Sequence, residues 1–115
     1  MEFIEYSKCS TCKKAKKYLE ENNIEFIGRE IKENTPTIKE INDWINKFDI
    51  NINNLFNTSG MIYREMKLKD KLDSMSTDKK IELLSNNAML IKRPLLICDD
   101  IILIGFREKE YSSLK

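Results

Sequence analysis

The sequence predicts an α/β fold: a mixed four-stranded sheet with flanking helices and a helical insertion in the middle of the chain. Three observations predict it. A strand-like stretch, an amphipathic helix and a second strand-like stretch follow one another within residues 3–31. Two dense apolar runs lie side by side at 95–98 and 101–104, split only by Asp99 and Asp100. Between these halves the pattern is helical but irregular. A strand–helix–strand unit makes its two strands parallel, and a two-residue link makes the last two antiparallel. One sheet that accepts both pairs is therefore mixed.

The first strand is read at residues 3–6, "FIEY", closed by Ser7. From Ser10 the period changes: Cys12, Ala15 and Leu19 recur on one helical face, while Lys13, Lys14, Lys16 and Lys17 take the others. "ENN" at 21–23 ends this helix, because asparagine tolerates the left-handed C-terminal conformation. "IEFIGREI" at 24–31 supplies the second strand. A second helix is expected after "ENTPT", with Thr35 as cap, Pro36 in the first turn and a stripe of Ile38, Ile41, Ile45 and Phe48. Trp44 beside that stripe reads as core. Residues 50–75 hold turn formers and a charged, helix-compatible run. Ser76 or Thr77 then caps "STDKKIELLSNN", with Asp78 near the positive helix end. The hairpin 95–104 follows, Gly105 ends it, and "REKEYSSL" reads as a short closing helix.

The 115 residues fit a single domain 1–115, with a core formed by 1–34 and 88–115 and the insertion at about 35–87. Hydrophobic residues make up 41%, enough for one core, and charged residues 34%. The net charge of +1 shows no basic excess, so direct nucleic-acid binding is not expected. The start "MEFIEYSKCS" lacks the pattern of a signal peptide, and the run "IILI" is too short to span a bilayer. A cytoplasmic monomer with no membrane association is the expected state.

Cysteine and histidine usage narrows the chemistry. Three cysteines are no secreted disulfide framework, and in a reducing compartment a Cys-x-x-Cys pair points to redox or metal chemistry. A structural zinc site needs four ligands; Cys98 stands alone and there is no histidine, so no metal is expected. The absence of histidine also excludes a Cys-His pair and a Ser-His-Asp triad. Any reactive cysteine must be activated by something else.

Cys9 offers such an activation. It sits just before the first helical turn, where free N–H groups stabilise an anion. Lys8, Lys13 and Lys14 add positive charge, and the intervening "ST" can donate hydrogen bonds to sulfur. The thiolate is the nucleophile, so Cys9 is the candidate attacking sulfur. Cys12, on the apolar stripe, is the candidate resolving sulfur. The plain alternative is that both are small inert residues. Cys98, inside an apolar run, reads as an inert core thiol. A Cys-x-x-Cys where a first strand meets a first helix is a thioredoxin-like arrangement. In "KRPLL" at 92–96, Arg93 and Pro94 have two readings: a loop charge before a strand-starting proline, or a cis-proline beside the cysteine pair with Arg93 facing the site.

Taken together, "YSKCSTCKKAKKYLEENNIEF", "IKRPLL" and "ILIGFREKEY", in this order and spacing, resemble the ArsC/Spx family. That family includes arsenate reductases, Spx redox regulators of transcription and many uncharacterised relatives, which this chain resembles most. The resemblance spans nearly the whole sequence and implies a thioredoxin-like fold with a helical insertion. It implies catalysis by a cysteine matching Cys9 and oxyanion binding by arginines matching Arg93 and, near the last strand, Arg107. Glutathione is the implied co-substrate, with no bound cofactor, and glutaredoxin or thioredoxin the implied protein partner. Asn57 stands where the family's reductases carry their first arginine, and a neutral amide does not replace a bidentate cation. Cys12 is also a departure from the glutaredoxin-linked reductases and matches the Spx branch instead. There the resemblance implies a Cys9–Cys12 disulfide switch and a partner in the RNA polymerase α subunit. The two readings carried forward are a thiol-disulfide or arsenate reductase-like oxidoreductase and a redox-sensing regulator.

Overall fold

The structure, a computed structural model, describes residues 1–114. The chain divides into two compact units: Met1–Asn34 with Arg93–Lys115, and Thr35–Lys92.

The first unit holds a four-stranded sheet. Its strands are β1 (Glu2–Glu5), β2 (Ile27–Glu30), β3 (Leu95–Ile97) and β4 (Ile102–Ile104), in the order β2-β1-β3-β4. β1 pairs parallel with β2 and antiparallel with β3, which pairs antiparallel with β4. The mixed four-stranded sheet anticipated from the sequence is therefore present. The parallel pair exists because α1 (Ser10–Glu21) carries the chain back across the sheet. The antiparallel pair closes where the Cys98 N–H donates to the Ile101 carbonyl at 2.9 Å, leaving Asp99 and Asp100 as a two-residue turn. Gly105, at φ 78°, then takes a left-handed conformation that other residues adopt only with strain.

The core of this unit follows from register. Phe3, Leu96 and Leu103 are direct cross-strand partners, so their side chains share one face. Ala15 and Leu19 from α1 and Tyr111 from the last helix bury that face, with Tyr18, Phe26, Cys98 and Phe106 packed around them. Phe106 and Tyr111 meet edge-on, ring centroids 4.8 Å apart. α1 ends as expected: Asn23 is left-handed at φ 56°, and the Ile24 N–H closes back on the Leu19 carbonyl.

In the second unit, α2 (Ile38–Phe48) starts at Thr37 rather than Thr35. Thr37 accepts from the Glu40 N–H at 3.1 Å while Glu40 accepts from the Thr37 N–H at 3.0 Å. This reciprocal box satisfies two donors that Thr35 would leave open. Ile38 lies in that first turn and is 53% exposed, so the buried stripe begins at Ile41 and continues through Trp44. The charged run breaks into two short helices, α3 (Met61–Glu65) and α4 (Leu68–Lys71), because Lys67 between them is left-handed at φ 53°. α5 (Thr77–Asn86) is capped by Ser76, whose hydroxyl accepts from the Lys79 N–H at 3.1 Å. The final helix, α6 (Glu108–Ser112), belongs to the first unit. Among the described residues, no helix is long and apolar enough to cross a membrane.

Candidate functional site

The β1–α1 junction, with the residues just before β3, assembles the groups singled out in the sequence. Cys9 is the N-cap of α1, extended at φ −91° and ψ 121°, and its sulfur accepts from the Cys12 N–H at 3.4 Å. A thiol thus takes the place of the usual hydroxyl or carboxylate cap. The spacing explains the geometry: a cap side chain reaches the N–H three residues on, and that residue is Cys12. The chain enters this cap through a turn in which the Cys9 N–H donates to the Tyr6 carbonyl at 2.9 Å. The Ser7 N–H donates to Glu30 Oε2 at 3.0 Å, tying the turn to the end of β2.

Cys12 faces the interior. It is fully buried on the stripe it shares with Ala15 and Leu19, and its sulfur receives the Tyr6 N–H at 3.5 Å. No disulfide joins the pair; Cys9, Cys12 and Cys98 are free thiols.

Surroundings split the two thiols electrostatically. Burial pushes Cys9 up, but the Cys12 N–H, the Cys12 thiol, the Arg93 charge and the Thr11 backbone N–H together hold it below its usual value. Burial pushes Cys12 up as well. There the Tyr6 N–H opposes burial, while donation to Cys9 and the Cys9 charge reinforce it, so Cys12 rises to about 12. Of the two thiols Cys9 is therefore the one that ionises first as pH rises, while Cys12 holds its proton longer and donates it toward Cys9.

Arg93 precedes Pro94 across a cis peptide bond. Its guanidinium carbon lies 5.2 Å from the centre of the Tyr6 ring, and its charge acts on both cysteines. Arg93 is thus the cation named beside Cys9. Lys8, Lys13 and Lys14, expected to help, are all exposed: Lys8 lies in the turn before α1, and Lys13 and Lys14 are on faces of α1 that turn to solvent.

Arg107 is placed differently. It is the exposed residue at the start of α6, where its carbonyl accepts the Glu110 and Tyr111 N–H groups, and among the described residues its side chain makes no hydrogen bond or ion pair. Asn57 lies in the second unit, where its N–H donates to the Leu90 carbonyl at 2.7 Å and its side-chain oxygen accepts from the Ser59 hydroxyl at 3.2 Å. Cys98 is not inside a strand: it sits half-buried at the hairpin turn beyond β3. Among the described residues, no three histidine, cysteine, aspartate or glutamate side chains gather as a metal site.

Sequence reasoning missed Tyr6, which read only as the end of a strand. Its backbone N–H and carbonyl each bond one half of the cysteine pair, and its ring meets Arg93. No periodicity marks such a residue. Its signal is positional, an aromatic three residues before the cap.

The ArsC family pattern matches residues 4–114. The chain belongs to the ArsC family. It is 44% identical over 109 residues to the uncharacterised protein YusI of Bacillus subtilis strain 168, covering 95% of this chain and 92% of that one. It is 27% identical over 112 residues to the regulatory protein MgsR of the same bacterium, covering 97% and 87%. Among solved structures, an ArsC family related protein from Bacteroides fragilis superposes with a TM-score of 0.94 at 44% identity, over 99% of this chain and 96% of that one. A protein from Streptococcus mutans UA159 described as a possible arsenate reductase gives 0.86 at 39% identity, over 96% of each. These likenesses agree with the thioredoxin-like architecture expected from the sequence.

Proposed function

We propose that this ArsC family member is a cytoplasmic dithiol oxidoreductase that reduces disulfides, including mixed disulfides with glutathione. One observation carries the reading: the Cys9 sulfur caps α1 and accepts the Cys12 N–H at 3.4 Å, while Cys12 lies fully buried three residues on, an arrangement that drives the first thiol down and the second up. The Cys9 thiolate attacks a substrate sulfur. The substrate S–S bond breaks, a Cys9–substrate disulfide forms, and the leaving thiolate departs with the bonding electrons and takes up a proton. Cys12 then gives up its proton and attacks the Cys9 sulfur. This expels the second substrate thiolate and leaves a Cys9–Cys12 disulfide, two electrons having passed to the substrate. Two glutathione molecules, or a glutaredoxin or thioredoxin dithiol, return the pair to the reduced form. Arg93 steadies negative charge on the substrate, and Arg107 is the weaker candidate for that role because it stands exposed at a helix start.

Arsenate is the less favoured substrate, since Asn57 offers an amide where the family's reductases offer an arginine. The testing experiment measures reduction of arsenate and of a glutathione mixed disulfide, each with glutathione and glutaredoxin, in the wild type and in Cys9→Ser and Cys12→Ser. Mixed-disulfide turnover lost in both variants is the expected outcome. Loss at Cys9 alone would turn the mechanism into a monothiol one, and an inactive wild type would overturn the reading.

The likeness to MgsR and to Spx transcriptional regulators favours a second reading. In it, the same Cys9–Cys12 disulfide switches a surface for the RNA polymerase α subunit, without turnover. Oxidation-dependent capture of that subunit, with no reductase activity, would select it.

A further inference from the structure

Tyr6 occupies an unusual position. Its carbonyl accepts the Cys9 N–H at 2.9 Å and its N–H donates to Cys12 Sγ at 3.5 Å, so its backbone is tied to both cysteines. From that anchored backbone the half-buried ring extends to two cations. The Arg93 guanidinium carbon is 5.2 Å from the ring centre and the Lys32 ammonium 5.9 Å. Both distances fall within reach of a cation–π attraction. Arginine suits such a seat, because its planar, weakly hydrated guanidinium stacks on aromatic faces and keeps its edge for an anion. Lys32 and Arg93 come from the two segments that flank the second unit in sequence, one after β2 and one before β3, and both approach this one ring.

We propose that Tyr6 is a positioning residue that seats Arg93 beside Cys9 and gathers Lys32 to the same place, so that the site selects disulfides bearing negatively charged groups. This rests on the reading of Cys9 as the attacking thiol and adds to it a substrate class and two residues. An unanchored arginine would sample several rotamers, at an entropic cost each time a substrate bound. Held on the ring, it meets a carboxylate already aimed. The ring face matters and not merely its bulk: an aliphatic side chain covers similar area but offers no negative π-face to the guanidinium.

The test uses two disulfide reagents in a Cys98→Ala background, so that the first thiol to react is Cys9. One, 5,5′-dithiobis(2-nitrobenzoate), carries two carboxylates; the other, 2,2′-dithiodipyridine, is neutral. The readouts are the ratio of their second-order rate constants at low salt and the pH midpoint of the Cys9 thiolate absorbance. Tyr6→Leu should lower the ratio about fivefold and move the midpoint upward, as loss of one cation–π contact predicts. Tyr6→Phe should restore both. In an Arg93→Ala background, Tyr6→Leu should change the ratio by less than about twofold, because Tyr6 acts through that arginine. Lys32→Ala should lower the ratio about twofold, the size of an exposed charge contribution. Tyr6→Met, which keeps bulk without a ring face, serves the same comparison if the leucine variant shows no cooperative melt.

The proposal is overturned if the ring-less variants keep the wild-type ratio and midpoint, or if they lower the ratio equally without Arg93. A wild-type Cys9 that titrates near about 8.5, as a free thiol does, is a different result: it would remove the underlying reading of Cys9 as nucleophile.

Discussion

Two strand ends of one sheet each present a partly buried cysteine, and their chemistry diverges. Cys9 follows β1 at the start of a helix, and Cys98 follows β3 at a hairpin turn. Burial raises both thiols. At Cys9 this is outweighed by donated hydrogen bonds from Cys12 and Thr11 and by Arg93. At Cys98 the Met1 amino group pulls down, Asp99 pushes up alongside burial, and the thiol ends above its usual value. The backbone explains the contrast. A helix start leaves N–H groups without helical partners, free to face a sulfur. A hairpin uses its N–H groups in the ladder, and the one at Cys98 goes to the Ile101 carbonyl.

The strongest way to break this comparison is to remove the favoured thiol. Cys9→Ser should reduce disulfide turnover to the reagent background, whereas Cys98→Ala should stay within about twofold of wild type, since no role in the exchange falls to it. Equal losses in a coupled glutathione assay would erase the distinction. Next in size is Arg93→Ala, expected to slow reaction with an anionic disulfide by about ten- to a hundredfold, the range for a hydrogen bond to a charged group. Arg93→Lys should fall between, keeping charge but not the planar fork.

A pH profile sharpens the comparison without changing any contact. Alkylation tracks the thiolate. A lowered group ionises earlier as pH rises, so Cys9 should reach its plateau rate at lower pH than a free thiol, and Cys98 at higher pH. Mass-resolved iodoacetamide labelling from pH 5 to 10 reads both sites at once, and coincident midpoints would contradict the split. The smallest effect is structural and lies beside the hairpin. The Tyr111 hydroxyl is buried and, among the described residues, has no hydrogen-bond partner. Tyr111→Phe should therefore raise stability by about 1 kcal/mol in a urea titration, and a loss of similar size would reveal a partner for that hydroxyl.

How much of this was legible beforehand varied with the kind of signal. The cysteine spacing, the α1 stripe and the paired apolar runs are periodic or local, and they led to the strand–helix–strand unit and the hairpin. The start of α2 was misread because Thr35 and Thr37 are equally good caps in isolation; Glu40 decides for Thr37 by reaching back to its N–H. The break at Lys67 was not foreseen because a left-handed lysine leaves no mark in composition. Arg93 was singled out by its place before a proline, whereas Tyr6 went unnoticed, since what distinguishes it is its neighbours in space.

The sequence by itself determined that there is no histidine to activate a thiol, that Cys9 and Cys12 are three apart, and that the first falls before a helix and the second on its apolar stripe. Helical geometry then places the Cys12 N–H within reach of the Cys9 sulfur. Only the tertiary structure decided which cation stands at Cys9. Four lysines follow the pair in the chain, yet the charge that acts comes from Arg93, more than eighty residues on. The reason is that β3 pairs with β1, which brings the segment before β3 to the junction where Tyr6 and Cys9 lie. A charge counts by its distance and solvation, which the sheet sets and the order of residues does not.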